Sequence, residues 1–322
     1  MRSVLPLIII ELLTINTFSQ ISSAHSCTIN QKLLNTATKI GMANTNNDNN
    51  KKKRVVWLFG DSIIDNSYWH DVQSETTGEV LRDLLSNDDD NGNNHSIMTM
   101  DVKDRSTEEL DSRLMLRSIK TRQPIQVARN YVDHRNKIGI PYDGAPTGAV
   151  TITPNELFGS DIDDSKNKNE NDNDNFLVFS VGGNDVVLLG EKDTLSIIKR
   201  LKEIISGYHD MGSVRSSRIF YVIPYSPTQE TVQLMKSVLG IDQPMELYSR
   251  FVREAKKMCL EEGINCIALD HFTDRERLAT NYGIPEPTKE GAKALAILIQ
   301  QSILECIRIE EEEAEEEETK NK

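Results

Sequence analysis

Two short stretches bring side chains of catalytic type to the ends of apolar runs. The first is RVVWLFGDSIIDN, residues 54–66, in which Val55 to Phe59 stop at Gly60-Asp61-Ser62. A serine hydroxyl released at the end of a buried strand can act as a nucleophile once a base takes its proton. The same Asp-Ser pair can also do no more than cap the helix that follows. The second stretch is SVGGND, residues 180–185, closing the run FLVFSV. Asn184 there can donate its side-chain amide to a developing oxyanion. It can equally serve a tight turn, where Asn and Gly accept positive φ. Asp61 reads as a residue that orders the turn or caps a helix, not as one that does chemistry.

Both motifs need a scaffold that holds them at one rim. VVWLF (55–59), SIMTMDV (96–102), FLVFSV (176–181), RIFYVI (218–223) and INCIAL (264–269) read as strands, the continuous apolar runs among them as buried parallel ones. Between them lie helical patterns. GEVLRDLL (78–85) puts Val80, Leu81 and Leu84 on one face, and STEELDSRLMLRSI (106–119) offers Ser106 and Glu109 as a capping box. Ile197, Ile198, Leu201, Ile204 and Ile205 mark a third helix, and residues 246–262 a fourth. Residues 288–307 form the last, with Ala292, Leu295, Ala296 and Ile299 inward. The alternation predicts an α/β fold, a three-layer α/β/α sandwich with about five parallel strands. In such sheets the ligand crevice lies at the C-terminal strand ends, where both motifs fall.

Together these motifs resemble the SGNH, or GDSL, hydrolase family over residues 54–307. FGDSIIDN is similar to the family's first block, including Asp65-Asn66, and SVGGND to its third; RIFYVIPYSP resembles the fourth strand region. The resemblance implies a flavodoxin-like fold, Ser62 as nucleophile and Asn184 as an oxyanion donor beside the Ser62 amide. It also implies a second-block glycine amide and an Asp-x-x-His near the C-terminus. Two blocks depart from that pattern. The second falls in MDVKDRSTEELDSRL, residues 100–114, and the glycine position holds Asp104, whose amide can still face an oxyanion while its carboxylate adds like charge. The fifth, YGIPEPTKEGAKALAILI, keeps Pro287, Thr288 and Gly291 but has Glu286 at the histidine position and Gly283 at the aspartate position. Three readings stay open: Glu286 as the base, directly or through water; His271 in its place; or a site that binds and does no chemistry. A free glutamate, with a pKa of about 4.3 against about 6.5 for histidine, accepts a proton poorly unless burial raises it.

The rest of the 322-residue chain bounds these readings. Charged residues make up 27% and the net charge is -13, which argues against a nucleic-acid partner. Arg2, the apolar run from Val4 to Ile15 and Ser22-Ser23-Ala24 form a secretory signal pattern over residues 1–24, although Glu11 interrupts it. The expected plan is that signal, a polar linker 25–53, the hydrolase-like domain 54–309 and an acidic tail 310–322 read as a solvated helix extension. The expected location is the secretory pathway and the exterior, with no membrane span after cleavage and the oligomeric state open. Polar tracts at 44–54, 86–94 and 161–175 read as loops or linkers. Cys27, Cys259, Cys266 and Cys306 include no CxxC pair, so no zinc is expected; either a disulfide or buried free thiols fits them. Asn94-His95-Ser96 is a glycosylation sequon. No Walker loop or GxGxxG follows a strand, so no nucleotide cofactor is expected. The expected function is a secreted serine hydrolase cleaving an acyl ester of lipid or carbohydrate, without cofactor or metal. The alternative is a catalytically impaired relative that binds a glycan or lipid.

Overall fold

A computed structural model describes residues 54–64, 75–86, 100–104, 110–121, 175–187, 189–210, 214–270, 272, 276–279 and 285–320. The chain divides into two units, 1–51 and 52–322, and all described residues belong to the second. The signal pattern, the polar linker, Cys27, the sequon, Asp65-Asn66, Ser106, Glu109 and His271 lie outside them.

Five strands form one parallel sheet: β1 (Arg54–Gly60), β2 (Met100–Asp104), β3 (Phe176–Ser180), β4 (Ile219–Ile223) and β5 (Asn265–Ala268), in the order β2-β1-β3-β4-β5. Alternation along each strand builds a core on each face. Val56 and Leu58 of β1, Phe176 and Val178 of β3, and Phe220 and Val222 of β4 point to one side. Helices α1 (Thr77–Ser86) and α7 (Lys289–Lys320) cover it through Leu81, Leu85, Leu295, Ile299 and Ile303. Phe59, Leu177, Phe179, Ile219 and Tyr221 point to the other. There α2 (Ser112–Thr121), α4 (Thr194–Asp210), α5 (Gln229–Ser237) and α6 (Pro244–Glu262) supply the second layer; a five-residue helix α3 (Gly183–Val187) precedes α4. The expected α/β/α sandwich is therefore present. Its central strands β3 and β4 are buried and apolar on both sides because both sides are covered. The five isoleucines and leucines expected to share the face of α4 are all buried. Among the described residues, no helix is long and apolar enough to cross a membrane.

Two boundaries differ from expectation. The second strand ends at Asp104, two residues beyond the expected 102. The helix expected from residue 106 is corrected: Leu110 and Asp111 are not helical, and α2 begins at Ser112. Asp111 caps it, its Oδ1 accepting from the Arg113 N–H at 2.7 Å and the Leu114 N–H at 2.8 Å, which satisfies donors the helix leaves open. The last helix runs through the stretch read as its extension, to Lys320. Charge pairs one turn apart hold this polar extension together: Arg308 with Glu305 and Glu312, and Lys320 with Glu316. Glu310 turns inward to the buried Arg218, at 2.5 Å, and Arg218 in turn lies over the Phe176 ring.

A small antiparallel pair, β6 (Arg277–Ala279) and β7 (Pro285–Pro287), leads into α7. Thr288 caps α7, its Oγ1 accepting from the Gly291 N–H at 3.1 Å, while the Thr288 N–H donates to the Glu276 carbonyl at 2.9 Å. That carbonyl passes so close that a Cβ on Gly291 would lie 1.8 Å from it. Thr288 and Gly291 are thus explained by backbone packing alone.

Candidate active site

The order 2-1-3-4-5 has its switch point between β1 and β3, where the chain leaves the sheet to opposite sides and opens a crevice. β1 ends at Gly60 beside Ser180 at the end of β3. The Asp61 N–H donates to the Ser180 carbonyl at 2.9 Å, carrying the ladder one step past the strand. Only a glycine fits before it, since a Cβ on Gly60 would stand 2.6 Å from the Ser180 carbonyl oxygen. The Ile63 N–H then donates to Asp61 Oδ1 at 3.3 Å and the Ile64 N–H to the Asp61 carbonyl at 3.1 Å, so Ser62 sits inside a tight turn. This settles the role expected of Asp61: it orders the turn.

Asp61 does more than that. Ser180 Oγ donates to its Oδ1 at 3.0 Å, joining the two motifs side chain to side chain. Its Oδ2 is buried without a hydrogen-bond partner and lies 3.8 Å from where a Cβ on Gly183 would be. Burial pushes its carboxyl up to about 7, against the opposing pull of the Ser180 hydroxyl and the Ile63 amide. The role of Ser180 was invisible in the sequence; a serine closing an apolar strand opposite an Asp is the one signal that could have marked it.

Asn184 opens α3 at the end of β3. Its Nδ2 donates to the Leu110 carbonyl at 3.1 Å, on the stretch following β2. An amide nitrogen carries two N–H bonds, and this contact uses one of them. Ser62 and Asn184 are 6% and 8% exposed, both almost enclosed at the rim. The turn between β3 and α3 is pinned by the Tyr221 hydroxyl, which donates to the Val181 carbonyl at 2.7 Å.

Behind Asn184 stands an ion network that sequence reading missed. Asp185, fully buried, accepts from the Ser112 N–H (2.9 Å), the Ser112 hydroxyl (2.7 Å) and the Arg200 guanidinium (3.0 Å). Arg200 also bonds Ser112 Oγ (2.6 Å) and Glu191 (2.6 Å), and Glu191 meets Arg113. Burial alone would raise the Glu191 carboxyl; the Arg200 and Arg113 bonds outweigh it and hold it below the ordinary range. A buried carboxylate costs stability unless so paired, and here the pairing clamps α3 against α2 and α4.

Asp104 ends the edge strand β2, opposite Leu58 in register. Its carboxylate packs against the start of α1, 2.8 Å from where a Cβ on Gly78 would be. A helix N-terminus favours negative charge. Glu286 lies in β7 opposite Leu278, two residues before the Thr288 cap. His271 follows β5 and lies outside the described residues. Among the described residues, no group of three His, Cys, Asp or Glu side chains is placed to hold a metal ion.

No protein-family model matches the sequence, and no curated protein matches it. Several solved structures are similar. A member of the lipolytic protein G-D-S-L family from Veillonella parvula is 14% identical, with 78% of this chain and 97% of that one covered, at a TM-score of 0.43. A lipase/acylhydrolase from Enterococcus faecalis gives 13%, 78%, 95% and 0.44. A carbohydrate acetylesterase family member from Sinorhizobium meliloti gives 10%, 78%, 99% and 0.46. The motifs that resemble the SGNH, or GDSL, hydrolases, Gly60-Asp61-Ser62 and Gly182-Gly183-Asn184-Asp185, stand at neighbouring strand ends of this α/β sheet.

Proposed function

We propose that the chain is an SGNH-type serine hydrolase that cleaves the ester bond of an acylated lipid or carbohydrate, and that its N-terminal pattern directs it out of the cell. One observation carries the reading. Ser62 and Asn184 leave the sheet from neighbouring strand ends at the switch point, and the Asp61–Ser180 bond locks their two turns together. In this reading Ser62 Oγ attacks the carbonyl carbon as its proton passes to a base, and the carbonyl oxygen becomes an oxyanion. The second N–H of Asn184, the Ser62 amide and the Asp104 amide stabilise it. Collapse expels the alcohol, which takes the proton, and water then releases the acyl group by the same steps in reverse roles. Glu286 and His271 are the two candidates for the base.

The test is hydrolysis of short-chain nitrophenyl esters by the full-length protein across a wide pH range. Ser62→Ala should abolish turnover; turnover unchanged in that variant would end the nucleophile assignment. Loss in Glu286→Gln but not His271→Ala assigns the base to Glu286, and the reverse moves it. A second reading follows from glutamate standing where the family has histidine: the crevice binds a glycan or lipid ester without cleaving it. Tight binding of an ester with no turnover in the unaltered protein would favour that reading.

A further inference from the structure

Cys259 and Cys266 lie seven residues apart in sequence and on opposite sides of a helix–strand turn. Cys259 is buried in the last turn of α6. The helix ends at Gly263 (φ 65°), and the Ile264 N–H returns to the Cys259 carbonyl at 3.0 Å, folding the chain straight back into β5. Ile264 packs with α6 in one core and Ile267 with α7 in the other. Alternation therefore sends Cys266 to the α6 side, toward Cys259. Both cysteines lie on the α6 side of β5, joined by one tight helix–strand turn. Cys266 is exposed on β5, the edge strand of the sheet, whereas Cys259 is not.

We infer that Cys259 and Cys266 form an oxidisable dithiol, a modification site at the sheet edge that closes to a disulfide on reaction with a small-molecule or protein disulfide. The exposed Cys266 thiolate attacks one sulfur of that disulfide. A mixed disulfide forms and the first thiolate leaves. Cys259 loses its proton to solvent and attacks Cys266 Sγ, expelling the second thiolate. Two protein thiols are oxidised and one disulfide is reduced to two thiols, with no further reagent needed. The local chemistry suits this order. The neighbouring Cys259 thiol, together with the positive charge of Lys256 one turn earlier on α6, holds the Cys266 thiol below its ordinary range. The Cys266 thiol, with burial, raises Cys259, which suits a resolving partner. Cys306 makes a useful contrast, because it is buried and pushed up to about 11, chiefly by burial, with its Sγ on the Ser217 carbonyl at 3.1 Å.

The test treats the full-length protein with glutathione disulfide, blocks remaining thiols after unfolding, and maps peptides by mass spectrometry without reduction. Cleavage after Glu261 and Glu262 separates the two cysteines, so a link appears as two joined peptides. The expected result is that link, lost on treatment with dithiothreitol, with Cys306 blocked in every sample. In Cys259→Ser, Cys266 should instead carry one glutathione, and in Cys266→Ser residue 259 should stay free. Both thiols remaining blockable in the wild type, or a link from either one to Cys27 or Cys306, would overturn the inference. The wild-type map alone decides this, whatever the folding of the variants.

Discussion

Asp61→Asn offers the sharpest test of how the rim is built. The Asp61 side chain is 1% exposed, one of its oxygens has no partner, and its carboxyl is shifted from 3.8 to about 7. Below pH 4 the group is protonated in both folded and unfolded chains. Between there and about 7 the folded protein keeps a proton that the unfolded chain has released. Unfolding then frees a proton, so stability falls as pH rises through this window and levels off above it. At about 1.4 kcal/mol per pH unit, the three-unit window amounts to ~4 kcal/mol. Asparagine cannot titrate, so the variant lacks this slope. Urea unfolding of both proteins at about pH 4 and about pH 8 measures the difference of differences, in which the other titrating groups cancel. The expected value is ~4 kcal/mol, with wild type losing more on going to high pH. Parallel pH dependence in the two proteins would refute the claim that Asp61 is buried uncharged between the two motifs.

Other perturbations have defined outcomes. Asn184→Ala should lower kcat on a nitrophenyl ester by 10²–10³-fold, about 2.7–4 kcal/mol, and, because it leaves the Leu110 carbonyl without its buried donor, should also cost about 1–3 kcal/mol in denaturant unfolding. Gly60→Ala places a methyl 2.6 Å from the Ser180 carbonyl oxygen and should cost ~1–3 kcal/mol in denaturant unfolding, with turnover lost as the two turns part. Arg200→Met leaves Asp185 buried on its Ser112 bonds alone and should cost about 3 kcal/mol by the same measurement. If Glu286 is the base, the acid limb of the kcat/KM profile should survive in His271→Ala and be lost with the activity in Glu286→Gln.

Much of the frame was legible in the residues. VVWLF and FLVFSV read as buried strands because an apolar run long enough for a strand and closed by glycine has few other uses. The face of α4 followed from its isoleucine spacing. The two rim motifs were legible because polar residues and glycine break off an apolar run; that Gly60 must be glycine to pass the Ser180 backbone is a contact only the fold shows. The helix start at Ser112 was missed because two caps competed, Ser106 and Asp111, and propensity alone does not rank them. In the acidic stretch of α7 the Arg308–Glu312 pair, four residues apart, is local, whereas Arg218 finds Glu310 only once the chain is folded.

The fifth block teaches the sharper lesson. Pro287, Thr288 and Gly291 were recognised as a family fragment, yet in the fold the last two answer to a cap and to a carbonyl 1.8 Å from a would-be Cβ. A motif that survives for packing reasons says nothing of the chemistry beside it. By itself the sequence determined which segments are strands and helices, though not every residue that ends them, because periodicity rests on neighbours along the chain. Only the tertiary structure decided that Ser180 would hold Asp61 and that Asp185 would meet Ser112 and Arg200. Each of those contacts depends on strand order and helix placement, and these follow from burying two apolar faces at once.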